Sequence, residues 1–417
     1  MNPTSQHDMS LGSQKPATER LASLDQFRGY TVVGMLLVNY FGDYAACAQV
    51  LKHSHDYCSY ADTIMPQFLF AVGFALRLTY GRRMQTQRSS VAYARMIRRL
   101  LGLVLVSLVV YTVDQRAATW EQLKELNVWQ IISEPIKRQW FQTLMHIAVT
   151  SLWLLPVVHR PARIRVAWMV GSAATHVFLS YCFNFAWTNT PPNAIDGGPF
   201  GFLTWCIPAI VGTLACDYFV QPRDSRENQP RSVGPVVLAA MGLMLLGYVM
   251  SCPTRLYDVP ESQRETLVKS KLADDPVWPT PERIHAKRAT SAFTALLAEP
   301  PFVKPPNETE RKWNYWMMSQ RAGTLTYLTF TAGFSLLVFV LFYIVCDVYK
   351  MQLPFFRTFG TNALVAYILH AMVSSAVQPF FPKDSPAWFA SMGLGIFFLI
   401  TWLFVKQLEK QGAFLRV

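Results

Sequence analysis

After residue 20 the chain alternates between long apolar runs and short polar stretches. A helix crossing the hydrocarbon core needs about 20 mostly apolar residues. Ten segments approach that length: 29–47, 60–79, 97–114, 140–158, 164–183, 199–220, 234–251, 323–347, 355–378 and 386–405. The third is the shortest and relies on Arg98 and Arg99 snorkelling at one end. The pattern predicts an all-α, multi-pass integral membrane protein of about ten transmembrane helices.

The loops give an independent reading of orientation. If the segment before the first span is on one side and the sides alternate, that side carries 20 basic residues, against 6 in the short loops opposite. Positive residues stay in the cytoplasm, whereas long loops translocate regardless of charge. Both termini are therefore expected to be cytoplasmic. Residues 1–26 read as a disordered cytoplasmic tail without the apolar core of a signal peptide. Residues 27–417 read as one transmembrane domain with a long external loop at about 252–322. That loop is rich in proline and is expected to cap the outer face, with a short helix near 283–298.

Composition narrows the class further. Of 417 residues, 52% are hydrophobic and 15% charged, whereas soluble domains carry about a quarter charged residues. The net charge of +12 follows from topology, so no nucleic-acid partner is expected. Seven cysteines form no CxxC pair, and no metal site is predicted. Cys47 and Cys58 share one outer loop, where either a disulfide or two free thiols would fit.

Candidate chemistry gathers in "LKHSHDYCSYADTIMPQFLF", Leu51–Phe70. His53, His55, Asp56 and Asp62 stand at the mouth of an apolar helix. Ser59-x-x-Asp62 has the form of a capping box, so Asp62 has a structural role available. Ionisable groups inside spans are costly and usually face a cavity or a partner. His146, His176, His370 and Asn39 fall at similar depth in four spans, which suggests a polar chamber opening outward. Transport of a sugar-linked substrate, as a transporter or flippase, would also suit such a chamber.

The stretch "SLDQFRGYTVVGMLLVNY" (Ser23–Tyr40), followed by "KHSHDYCSYADTIMPQFLFAVGFAL", resembles the start of the heparan-alpha-glucosaminide N-acetyltransferase family and its bacterial relatives. The matching positions are Leu24, Asp25, Arg28, Gly29, Asn39, His53, Asp62, Pro66 and Gly73. "DGGPFGFLTWCIPAIVGTLACDY", "TYLTFTAGFSLLVFVLFYIVCDV" and "FRTFGTNALVAYILH" are similar to later parts of the family. A broader acyltransferase group places a catalytic histidine fourteen residues after its opening aspartate; here that position is Asn39.

The resemblance implies a membrane acyltransferase that moves an acetyl group from cytosolic acetyl-CoA to an amino sugar or glycan on the outer side. It implies His53 as general base or acyl carrier, with His55 competing for the role. Asn39 would bind the thioester oxygen, and Asp62 would fix the histidine tautomer or only cap its helix. Arg98, Arg99 and Arg28, near Arg82, Arg83, Arg88 and Arg95, would hold the CoA phosphates. Membrane lipid is the surrounding partner, a homo-oligomer is possible, and the bacterial relatives point to a bacterial cytoplasmic membrane. A non-catalytic relative keeping the fold is the remaining alternative.

Overall fold

The computed structural model describes residues 21–86, 88–220, 231–259, 265, 269–290, 296–305 and 310–415. The described residues form helices and loops, with two isolated β-bridges, Asp258 with Arg311 and Leu272 with Trp313. Most of the tail expected at 1–26 and residues 291–295 of the helix expected near 283–298 lie outside the described residues; 296–298 are described and are not α-helical.

The helices are α1 (Ala22–Phe41), α2 (Ile64–Thr86), α3 (Ser89–Val110), α4 (Trp120–Glu125), α5 (Val128–Glu134), α6 (Thr143–Leu154), α7 (Ala162–Leu179) and α8 (Phe185–Asn189). They continue with α9 (Phe202–Val220), α10 (Gly234–Ser251), α11 (Pro281–Thr290), α12 (Leu325–Tyr343), α13 (Pro354–Thr361), α14 (Ala363–Val377) and α15 (Ala387–Lys410). Each of the ten predicted segments contains a helix. Seven are long and apolar enough to cross a membrane, namely those of α2, α7, α9, α10, α12, α14 and α15. The chain is thus an all-helical integral membrane protein.

The predicted spans 164–183 and 323–347 end in π-helical turns, Ser180–Asn184 and Ile344–Val348, and two others depart further from a plain helix. The fourth, expected over 140–158, is a helix of only 12 residues; residues 135–142 before it form a π-turn and a bend. The ninth breaks between Thr361 and Ala363, where Asn362 adopts φ −121° and ψ 41°. Non-helical backbone at membrane depth is tolerated only where protein or a cavity surrounds it. Both irregularities border the cavity described below.

Close glycine contacts join the helices in pairs. A Cβ on Gly73 of α2 would lie 1.9 Å from the Ala209 carbonyl oxygen of α9, and one on Gly212 of α9 would lie 2.1 Å from that of Phe70. The same reciprocity joins α1 to α13 through Gly29 and Gly360, and α10 to α12 through Gly247 and Gly333. Without a strong hydrophobic drive between helices in lipid, such backbone approach supplies the packing. One core gathers around α2, α9 and α12, with Phe27, Phe70, Phe74 and Phe339 in edge or tilted contact. A second gathers around α1, α14 and α15. Gly73→Ala is therefore expected to push α2 from α9 and cost roughly 3 kcal/mol, the upper range for overpacking. A lowered melting temperature in detergent, absent at the open position Gly242, checks it.

The long loop lies against the face carrying the 42–63 loop. The Phe302 N–H donates to the Cys58 carbonyl at 2.8 Å, and the Gly197 N–H donates to Arg321 at 2.8 Å. Arg311 binds Asp258 and Glu299, which Arg255 also binds, tying the loop together. The α11 helix covers the first half of the helix expected there. Cys47 and Cys58 are free, buried thiols in separate cores.

Candidate active site

The sequence Ser59-x-x-Asp62 forms the local bonds its spacing predicts. The Asp62 N–H donates to Ser59 Oγ at 3.3 Å, and Asp62 Oδ2 accepts from the Ser59 N–H at 2.9 Å. Oδ2 also accepts from the Ser59 hydroxyl at 2.9 Å, and the Ser54 N–H points at both oxygens. This leaves Oδ1 for His53, whose Nδ1 lies 2.9 Å away. Asp62 is 1% exposed, while the His53 side chain is 44% exposed. The carboxylate that starts helix two thus also orients an imidazole toward open space. Capping and tautomer control, competing readings of the sequence, are combined in one side chain.

A second carboxylate approaches the same imidazole. Asp196, in the loop before α9, is buried and adopts φ 54°, the first of three left-handed residues, with Gly197 and Gly198 following. Aspartate tolerates this region and glycine favours it. The Asp196 carbonyl accepts from Trp205 Nε1 at 2.7 Å, and its Oδ1 accepts from Gln320 Nε2 at 2.9 Å. Gln320 comes from the end of the long loop and also acts to raise the His53 pKa.

These neighbours set the protonation behaviour of the loop. Burial pulls the His53 pKa down, but the hydrogen bond and charge of Asp62, with Asp196 and Gln320, more than reverse it, so the net shift is upward. Burial pushes Asp196 up to about 6, against the pull of Gln320 and His53. His55 goes the other way: burial, Arg321, His53 and Arg138 bring it down to about 4. The two histidines are therefore unlike, one paired with carboxylates and the other beside guanidinium groups.

The remaining sequence candidates divide. Asn39 Nδ2 and His370 Nε2 are 3.4 Å apart, pairing α1 with α14. His176 Nδ1 is bonded to the Tyr315 hydroxyl at 2.8 Å, beneath the long loop. His146 is buried between Phe141 and Trp205, on the underside of the Asp196 turn. The single chamber expected from these four groups is thus corrected: Asn39 and His370 meet each other, whereas His146 and His176 face separate contacts, because position along a helix does not fix azimuth.

A cavity of about 570 Å³ runs between α1, α2, α3, α6, α14 and the end of α15. At the end away from the histidine loop it is lined by Arg28, Arg99 and Arg357, with Glu409, Phe414 and Leu415. Arg28 and Arg99 thus line one space. Arg98 does not join them; it lies exposed, one residue and about 100° round the helix from Arg99. The middle of the cavity is apolar, with Phe68, Val72, Leu76, Leu100 and Leu103. Its other end reaches Thr143, Leu144 and Tyr367. Leu144 precedes His146 by two residues in α6, and His146 packs on Trp205, which bonds the Asp196 carbonyl, so this end of the cavity lies toward the acid–histidine cluster.

Asp196 and Gln320 were not singled out from sequence. Asp196 had one readable signal, an acid directly before an apolar run on the side of the histidine loop, as Asp62 is. Gln320 had none, because only tertiary docking of the long loop brings it to Asp196. Among the described residues no cluster of three or more histidine, cysteine or acidic groups is arranged to hold a metal ion.

Apolar helices thus surround a cavity with arginines at one end, and a separate loop cluster pairs a histidine with a buried carboxylate. Residues 20–253 match the family described as heparan-alpha-glucosaminide N-acetyltransferase, catalytic, and the chain belongs to that family. It is thus an acetyltransferase-type membrane enzyme. None of the curated proteins compared with it matches.

Proposed function

We propose that the protein transfers an acetyl group from cytosolic acetyl-CoA to an amine or hydroxyl of a sugar on the opposite side of the membrane. The observation that carries this reading is the cavity. Its arginine end suits the phosphates of CoA, its apolar middle suits an extended pantetheine arm, and its volume of about 570 Å³ falls within the usual range of ligand pockets. The opposite end lies toward His53. This supports threading of the donor between helices over relay of a free acyl group.

Orientation completes the proposal. Besides the seven long apolar helices, α1, α3 and α6 occupy predicted spans, and α13 with α14 forms one broken span. Counted so, there are ten spans with both termini cytoplasmic, in keeping with the 20 to 6 distribution of basic residues. Arg28, Arg99 and Arg357 then face the cytoplasm, and the loops bearing His53, Asp196 and Gln320 face outward. Residues 27–417 act as one transmembrane domain whose 252–322 loop supplies part of the acceptor side.

When bound, acetyl-CoA would supply the activated thioester. Asp62 holds His53 through Nδ1, which leaves the other ring nitrogen to take the proton of the attacking acceptor. A raised His53 pKa strengthens that base and favours the imidazolium that forms.

Release of free CoA by the purified protein, measured with a panel of amino sugars, tests the reading. Acceptor-dependent release is expected, and Arg99→Ala is expected to raise the donor KM about tenfold, the scale of one charge-assisted hydrogen bond. Sugar movement across vesicles without CoA turnover would replace this reading with transport.

A further inference from the structure

Two tyrosine hydroxyls stand where the cavity approaches the acid–histidine cluster. Tyr111 directly follows α3, and its oxygen accepts the Leu144 N–H at 3.0 Å. Leu144 lies in the first turn of α6, where backbone N–H groups lack partners within the helix. Tyr111 therefore caps α6 from outside and sits at the positive end of its dipole. The Tyr111 and Tyr367 hydroxyls are 2.5 Å apart. While its oxygen accepts from Leu144, Tyr111 can donate its own proton to Tyr367. The Tyr367 proton is then available to the cavity that this residue lines.

We infer that the Tyr367 hydroxyl, polarised through Tyr111 by the start of α6, is the hydrogen-bond donor to the thioester carbonyl oxygen as it becomes anionic. This rests on reading the cavity as the donor site. With the CoA phosphates at Arg28, Arg99 and Arg357, the thioester falls at the far end of the cavity, which Tyr367 and Thr143 line. Thr143 directs its hydroxyl to the Met65 sulfur, 3.9 Å away, which leaves Tyr367 as the better placed donor of the two.

On this reading Tyr367, rather than Asn39, binds the thioester oxygen. Asn39 pairs with His370, whose ring is bonded in turn to the Tyr367 carbonyl. Asn39 and His370 hold the turn of α14 that carries Tyr367, and so are positioning residues.

The step balances without a further reactant. The acceptor lone pair forms a bond to the carbonyl carbon, the C=O pair moves onto oxygen, and Tyr367 stabilises that oxyanion while keeping its proton. Collapse restores C=O and breaks the C–S bond. The CoA thiolate receives the proton that His53 took from the acceptor, giving CoA and acetylated acceptor.

Tyr367→Phe keeps the ring and removes the donor. It is expected to lower kcat about 100-fold, the scale for loss of one oxyanion donor, with donor KM little changed. Acceptor-free hydrolysis of acetyl-CoA should fall by the same factor, because water and acceptor pass through the same oxyanion. Tyr111→Phe leaves Tyr367 in place and should lower both rates together, by less. CoA binding by calorimetry separates the two readings. A wild type that neither binds nor turns over CoA removes the donor cavity itself. A wild type that does both, with a Tyr367→Phe variant at unchanged kcat, altered only in donor KM, or slowed only with acceptor, overturns the inference. Should Tyr367→Phe lose CoA binding through misfolding, an unchanged kcat in Tyr111→Phe overturns it as well.

Discussion

His53→Ala is expected to reduce acetyl transfer by roughly 10²–10⁴-fold, the range for loss of a positioned general base, with the fold and donor binding retained. The fold survives because the His53 side chain is 44% exposed, and Asp62 keeps its bonds to the Ser54 and Ser59 N–H groups and the Ser59 hydroxyl. Donor binding survives because the arginines lie at the other end of the cavity. His55→Ala is the comparison that gives the result its meaning. His55 lies beside Arg321 and Arg138 and is held near pKa 4 by burial and those charges, so it has little affinity for an acceptor's proton. Its removal should leave kcat within a few-fold of wild type. Initial rates of CoA release for both variants, with imidazole added to test rescue of His53→Ala, decide the matter. Loss of activity in His55→Ala alone would reverse the assignment.

The helices were largely legible because their signal, unbroken apolarity, is local. The errors arise where tertiary structure overrules it. The ninth span reads as continuous from 355 to 378, yet Asn362 interrupts it and donates to the Ala413 carbonyl of the chain after α15. The fourth span is shortened because its expected first residues, 140–142, form a bend after a π-helical turn rather than entering a helix. The candidate site was half legible. His53 and Asp62 lie nine residues apart in one loop, and local capping brings them together. Asp196 and Gln320 come from distant loops and are brought together only when the long loop docks on the Asp196 turn. Gly29 and Gly73, met first as parts of a resemblance, have a plain physical reason in the backbone approach of α1 to α13 and α2 to α9.

Asp62→Asn should separate the two duties of that carboxylate, and its effect on rate is expected to rival that of His53→Ala. In serine proteases the matching change costs about 10⁴ in kcat, because the histidine is held in the wrong tautomer and the imidazolium loses its counter-charge. Here an amide nitrogen placed at either oxygen would face N–H donors of Ser54 or Ser59, or the Nδ1–H of His53. A buried donor left facing donors costs about 1–3 kcal/mol, so a lower melting temperature is expected as well. The pH profile carries the more specific signature. Transfer needs neutral His53, so the wild-type rate rises with pH through a histidine pKa above the ordinary 6.5. Removing the Asp62 charge removes the main stabilisation of the imidazolium, and the acidic limb must move to lower pH even as the maximum falls. The stability linkage has the same origin. The raised His53 pKa contributes stability that is full below 6.5 and fades as pH rises through the folded value. That contribution should largely disappear in Asp62→Asn. Asp196→Asn, which removes a weaker and partly protonated neighbour with a pKa of about 6, should shift the limb in the same direction by less. A limb that stays in place in Asp62→Asn, measured on CoA release between about pH 5 and 9, would mean that the titrating base is not His53.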